Sequence, residues 1–461
     1  MRAAAVLGLA LLLSGCRPAL QGNGRNLLLV TLETTRADHL SLHGYGRQTS
    51  PALARFAARA AVFEAATSVS PRTNPSLATL LTSRFPHEHG VRNLLLPLEP
   101  ENRTLAEVLR DAGYRTGAIQ THPRLVRGSG LEQGFSDYLD DFRDHPLADQ
   151  ACSKAAAWIE RANRKGRPWH LWIHLMDPHW TYDPPASVRT AFAPDDPRPA
   201  RLYADLAARR RTIGPVIFRN TMPPDEVAAF VALYDAEILH TDRALGALLD
   251  RLAADGTLER TVVASTADHG ESLGEHDYIF EPGDLGTQAE IHVPLVLAAP
   301  AGAGVTAGSR TAASVSTLDL APTLLELLQV PTGGTFRGRS LLPVLAGAEG
   351  DRSCFGETDR AMHEENTRRE VEGVAGKWRW IRRGPFKLMH RPRAGGTAGR
   401  ALYDLAADPG ETVDVSAAHR EVADRLGREL EAWLSEDSGE EREYHITDEA
   451  REILRSLGYV N

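Results

Sequence analysis

Cysteine is nearly absent from this sequence. Cys16, Cys152 and Cys354 are the only three in 461 residues, and no Cys-x-x-Cys pair exists. That excludes a disulfide framework and a zinc ribbon. Positive charge is also in deficit, with 52 Lys and Arg against 61 Asp and Glu and a net charge of −9. A chain so balanced has no general attraction for nucleic acid. Beyond residue 13 no segment approaches the roughly 18 uninterrupted apolar residues that span a bilayer. What remains is ordinary for a globular protein: 42% apolar and 25% charged residues, which excludes wholesale disorder. The 39 glycines and 28 prolines fall largely in short turn clusters, as in a loop-rich enzyme rather than a helical bundle. At about 150 residues per domain the length allows up to three domains, or one large α/β domain with an appendage.

The first residues form a leader. Arg2 gives a short positive start, and residues 3–13 are small or apolar. Such a run is a secretory h-region, too short to cross a membrane. Leu13-Ser14-Gly15-Cys16 resembles the lipobox of bacterial lipoproteins. The resemblance implies cleavage before Cys16, lipid attachment there, and an exported protein anchored to the cell envelope at the outer membrane or periplasmic face. Two or more acyl chains make such an anchor durable.

Continuous apolar runs predict strands buried on both faces of a parallel sheet at 26–32, 114–120, 169–175, 261–267 and 293–298. Helical patterns lie between them, at 51–66, at 74–81 with Asn74 as N-cap and Pro75 as first helical residue, at 104–112, and at 225–254. Residues 186–224 read as an irregular insertion. Strands alternating with helices predict a mostly parallel sheet with helices on both faces. After residue 350 a hairpin at 378–388, a strand at 402–405 and a helix at 421–434 predict a smaller α+β subdomain. An acidic linker (435–443) and a last helix (447–457) follow.

Ligands of such sheets sit beyond the carboxyl ends of the strands. Three polar clusters occupy those ends: Glu33-Thr34, Asp177-Pro178-His179 and Asp268-His269. Carboxylates with one imidazole suit a divalent cation, oxygen favouring Ca or Mg and the imidazole favouring Zn or Mn. Alone, Asp268-His269 fits a structural pair as well as a ligand pair. His179 suits proton donation or anion binding, and equally a loop histidine. Thr73 lies where a helix begins, a place that favours anions. Its hydroxyl needs a metal to become a nucleophile, and from its own segment it reads as a turn residue.

In order along the chain, 26–45 (NLLLVTLETTRADHLSLHGY), 66–91 (containing TNPSLATLLTSRFPHEHGV), 171–185 (LWIHLMDPHWTYDPP), 233–276 (LYDAEILHTDRALGALLD…STADHGESLGEH) and 315–342 (VSTLDLAPTLLELLQV…GRSLLP) resemble the sulfatases of the alkaline phosphatase superfamily. The likeness implies an alkaline-phosphatase-like α/β fold and hydrolysis of an anionic sulfate or phosphate ester, of a glycan or a lipid. It places Thr73 as nucleophile and His179 as its catalytic partner. It implies a divalent metal (Ca, Zn or Mn) at Glu33, Thr34, Thr73, Asp268 and His269, and substrate contacts from His122 and His179. It divides the chain into a leader (1–15), a lipidated linker (16–25), a catalytic domain (26–350), a C-terminal subdomain (351–435) and a tail (436–461). His87-Glu88-His89 becomes a structural turn and Arg36 a fold salt bridge.

The sequence departs from that family pattern. Thr73 stands where the family has the Cys or Ser oxidised to formylglycine, and threonine cannot give that aldehyde. Leu77 replaces an arginine. Glu33-Thr34 replaces an acidic pair. The Lys-x-His expected near 120–123 leaves His122 alone, and the later Lys or His near 281–283 is missing. Two rival readings follow: a transferase passing a phospho-group to an envelope glycan or lipid, and an inactive protein that binds an anionic glycan.

Overall fold

The computed structural model describes residues 22–140, 147–180, 182–193, 223–277, 285–334, 336–359, 377–391 and 399–437. The leader, Cys16, residues 194–222 of the irregular insertion and the last helix lie outside the described residues.

Eight strands form the main sheet: β1 (Asn26–Leu32), β2 (Ala61–Thr67), β3 (Arg115–Gln120), β4 (Asp137–Leu139), β5 (Trp169–Leu175), β6 (Thr261–Ala267), β7 (Leu295–Ala298) and β8 (Arg310–Ser316). Their order is β4-β3-β5-β1-β6-β7-β2-β8. Only β7 runs against its neighbours, so the sheet is mostly parallel. β1, β5 and β6 coincide with the predicted apolar runs, and every residue in them is buried. A central strand covered on both faces needs apolar side chains on both sides, hence runs without alternation. The helices Ala148–Asn163 and Pro224–Ala254 pack together over the sheet.

Residues 51–66 correct the predicted single helix. The helix stops at Phe56, a 3-10 turn covers Ala57–Arg59, and β2 follows. Val62 and Phe63 are branched and aromatic, and pairing with β7 and β8 outweighs the helical preference of the alanines around them. A second correction concerns the helix Thr73–Thr82. Arg72, not Asn74, holds the N-cap position, and the Asn74 amide instead donates to the Leu94 carbonyl at 3.0 Å.

The second sheet runs β12-β11-β10-β9, with β9 (Cys354–Glu357), β10 (Arg379–Arg383), β11 (Phe386–Arg391) and β12 (Gly399–Asp404). Alternation sorts its side chains. Trp380 and Met389 face Leu285 and Ile291 of the main body. Ile381 and Leu388 face Leu426, Leu430 and Trp433, from the helix Arg420–Leu434. Gly356 is required where Trp380 crosses, since a Cβ there would meet the indole at 2.2 Å. Among the described residues no helix is long and apolar enough to cross a membrane.

Candidate active site

Parallel strands β3, β5, β1 and β6 lie side by side, so the residues that follow them converge. Glu33 continues β1, its N–H bonded to the Leu175 carbonyl at 2.8 Å. Asp268 continues β6 in the same way through Leu32. The helix Thr73–Thr82 points its first residue at this junction. Thr73 Oγ1 donates to Glu33 Oε1 at 2.8 Å and lies 3.3 Å from His269 Nε2. All four side chains are buried.

His269 Nδ1 donates to its neighbour's carbonyl, Gly270 O, at 2.8 Å. That leaves Nε2 turned inward, 3.3 Å from Asp268 Oδ2 and 3.4 Å from Glu33 Oε1. Asp268 Oδ1 accepts the backbone N–H groups of Thr34 and His269 at 3.1 and 2.8 Å. Asp268 Oδ2 accepts no hydrogen bond, although it is buried. Ligand atoms of Glu33, Asp268 and His269 lie within 4.8 Å of one another, as do those of Glu33, His122 and His179. Two buried carboxylates around one imidazole, with an oxygen left over, fit a divalent cation.

The sulfatase family pattern matches residues 25–330, and the pattern described as N-sulphoglucosamine sulphohydrolase, C-terminal, matches residues 274–436. The chain belongs to the sulfatase family. Arylsulfatase K of Rattus norvegicus is 23% identical over 82% of this chain and 72% of its own. An N-acetylglucosamine-6-O-sulfatase of Bacteroides thetaiotaomicron is 24% identical over 84% and 81%. The crystal structure of the phosphonate monoester hydrolase of Agrobacterium radiobacter shares the fold, with a TM-score of 0.69 at 23% identity over 89% of this chain and 95% of that one.

The other predicted residues of this sulfatase-family site take distinct places. Thr34 sits at a positive φ of 43°. Its hydroxyl donates to Pro178 O at 2.8 Å, so its direct contribution to the cluster is the N–H given to Asp268. His122 and His179 face each other with ring centres 5.8 Å apart. His122 Nδ1 accepts the Arg124 N–H at 3.0 Å; a neutral ring therefore carries its proton on Nε2, as a donor. His179 Nδ1 is bonded to the Trp180 carbonyl. His87-Glu88-His89 is a turn: Glu88 accepts the Phe85 N–H and His89 Nε2 meets Thr79 Oγ1. Arg36 pairs with Asp38 and Glu275, each at 2.7 Å.

Electrostatics separate the two acids. Burial raises the Glu33 carboxyl, but His122, His174 and His269 outweigh it and hold it well below the usual carboxylate range. Burial, and then the charge on Glu33, pushes Asp268 well above that range. His269 is opposed by burial, yet Asp268 and Glu33 carry it up to about 9. Burial drives His122 down to about 3.

Sequence reasoning assigned no role to two residues here. His174 Nε2 lies 2.6 Å from Glu33 Oε2. Its signal was a histidine at the carboxyl end of a strand whose only other polar residue is His170. Arg124 brings a guanidinium beside His122 and reaches Leu94 O at 3.3 Å, the carbonyl that Asn74 also uses. Nothing in its loop position signalled that.

Proposed function

We propose that this sulfatase-family enzyme hydrolyses sulfate or phosphate esters with Thr73 as nucleophile and a divalent cation, Ca, Zn or Mn, at Glu33, Asp268 and His269. The observation that carries the reading is the Thr73 hydroxyl, buried at a helix N-terminus and 2.8 Å from Glu33 Oε1. A bound cation there lowers the pKa of a hydroxyl and offsets charge on a tetrahedral oxyanion.

Thr73 Oγ1 attacks sulfur or phosphorus opposite the ester oxygen, forming the new O–S or O–P bond as the ester bond breaks. Glu33 Oε1, the acceptor of the hydroxyl hydrogen, takes its proton. His179, as an imidazolium, gives a proton to the departing alcohol. Water then cleaves the threonine ester, giving its proton to His179 as Glu33 returns the first proton to Thr73 Oγ1, and sulfate or phosphate leaves. The backbone N–H groups at the start of the helix Thr73–Thr82 and the Nε2–H of His122 hold the non-bridging oxygens.

A glycan sulfate is the favoured substrate, because the Bacteroides relative is a sulfatase of N-acetylglucosamine. Attachment through Cys16 to the cell envelope belongs to the same proposal. It rests on Leu13-Ser14-Gly15-Cys16, and a Cys16→Ser chain is then expected in the aqueous phase of a detergent partition.

The test is an activity panel on chain lacking residues 1–16, with aryl sulfate, phosphate monoester, phosphate diester and phosphonate, each with Ca, Mn and Zn. Wild type turns over at least one ester and Thr73→Ala turns over none. Equal activity in Thr73→Ala removes the nucleophile from the proposal. A product carrying the group on an added sugar or lipid points to a transferase. A folded wild type that binds anion, holds no metal and turns over nothing points to a binding protein.

A further inference from the structure

Three buried side chains on one face of the β1–β5 pair lead into Glu33. Thr31 and Glu33 are two residues apart on one strand, as Trp172 and His174 are on the next, and Thr31 is in register with His174. Period two therefore puts all four side chains on the same side. All are fully enclosed.

With His174 as a neutral ring, the donors and acceptors permit one order. An indole N–H only donates, so Trp172 Nε1 gives its hydrogen to Thr31 Oγ1 at 2.9 Å. The Thr31 hydroxyl has two acceptors in reach, His174 Nδ1 at 2.8 Å and Ile173 O at 3.5 Å. The shorter contact wins, and a ring that accepts at Nδ1 carries its proton at Nε2. That proton points at Glu33 Oε2, 2.6 Å away. The opposite neutral tautomer would set two lone pairs against each other at that distance.

We infer that Trp172, Thr31 and His174 form a hydrogen-bonded chain that clamps Oε2 of Glu33 and so reserves Oε1 for Thr73, making His174 a positioning residue for the nucleophile. The inference rests on the reading of Thr73 given above. It also explains how a glutamate serves at this strand end. Glutamate has one torsion more than aspartate, and an unclamped carboxylate would swing between Thr73, His269 and Asp268. With Oε2 held, the added methylene becomes reach rather than freedom. Partners that orient a metal-ligating or proton-accepting side chain in this way typically change activity or metal affinity by about 10- to 100-fold when lost.

Three readouts on full-length protein test the chain. In ¹⁵N-histidine NMR, His174 carries its proton on Nε2, with Nδ1 bare and hydrogen-bonded, and Thr31→Val shifts the Nδ1 resonance. A proton on Nδ1 with a bare Nε2 overturns the inference. In kinetics, His174→Phe lowers kcat by about tenfold or more with KM little changed. His174→Gln, whose amide N–H reaches Oε2, recovers part of the loss. Equal losses in the two variants, or none in either, overturn it. In calorimetry with Ca²⁺, Mn²⁺ or Zn²⁺, His174→Phe binds more weakly than wild type while its circular dichroism is unchanged. Thr31→Val keeps the strand and drops only the hydroxyl, so it guards against a variant that fails to fold. A wild type inactive on every ester sinks the proposed function, and the NMR and metal-binding results still decide the clamp.

Discussion

Two buried charge clusters in this molecule use carboxylates to opposite ends. At the ends of β1 and β6, Glu33 and Asp268 meet one imidazole, and Asp268 Oδ2 goes without a hydrogen bond. Between the two sheets, Arg92 forks onto Glu357 at 2.9 and 2.8 Å and onto Asp437 at 2.9 and 2.7 Å. Lys377 and Arg379 stand 3.9 Å from Glu357. Burial raises the Glu357 carboxyl, but Lys377 and Arg92 prevail and hold it low, whereas burial and Glu33 drive Asp268 up. The cluster whose carboxylate oxygens all accept hydrogen bonds is a staple that ties the small sheet to the main body. The unsatisfied one leaves a carboxylate oxygen for the proposed cation, the kind of difference that marks a candidate site.

Substitutions sharpen that contrast. Thr73→Ala is expected to lower kcat/KM by roughly a thousandfold or more while leaving the thermal midpoint almost unmoved; a steady-state assay beside a melting curve checks both. Glu357→Gln inverts the pattern. It leaves Arg92 and Lys377 under-compensated and destabilises by about 3–5 kcal/mol, read as a lowered urea midpoint, with the kinetics of the surviving folded fraction unchanged. Asp268→Asn has a third signature. Its carboxyl is raised in the fold, so ionisation opposes folding at neutral pH. Removing the charge raises the urea midpoint of metal-free protein and abolishes metal binding; a lower midpoint in Asp268→Asn would contradict this.

Acid sharpens the comparison by a different route. Burial brings His89 and His170 down to about 3 from the ordinary value of 6.5. The unfolded chain protonates first, so their contribution to stability falls as pH drops from about 6.5 towards 3. Glu357 adds a later loss: its contribution is present above its unfolded value and disappears as pH falls through the lowered folded one. Between pH 7 and 4 the urea midpoint of wild type should fall further than that of His170→Phe, and equal falls would refute the assignment. The smallest effect belongs to Arg310→Ala, which breaks an exposed pair with Glu64 at 2.8 Å and shifts stability by less than about 1 kcal/mol.

The parts of the fold legible in the sequence were those where one force dominates. β1, β5 and β6 need nothing but apolar side chains on both faces, so their limits could be read from residue type. The convergence of Glu33, His179 and Asp268-His269 followed from parallel topology, which the structure repeats. Residues 61–67 were misread because alanine carries little strand signal and only the partners β7 and β8 decide their conformation. Asn74 resembled a cap because capping is a local rule, whereas its amide is claimed by Leu94, twenty residues away. His174 and Arg124 act through contacts made across strands and loops, which no spacing along the chain encodes.

Thr34 adopts a backbone angle suited to glycine, at a strain of about 1–2 kcal/mol for a branched side chain. Three ties hold it there: its N–H to Asp268, its hydroxyl to Pro178, and its carbonyl accepting the Tyr234 hydroxyl at 2.7 Å. A designer seeking a hardier protein would choose Thr34→Gly first, and the backbone would relax. The hydroxyl strut between the ends of β1 and β5 would go with the tension, and the aim of the whole catalytic junction would loosen.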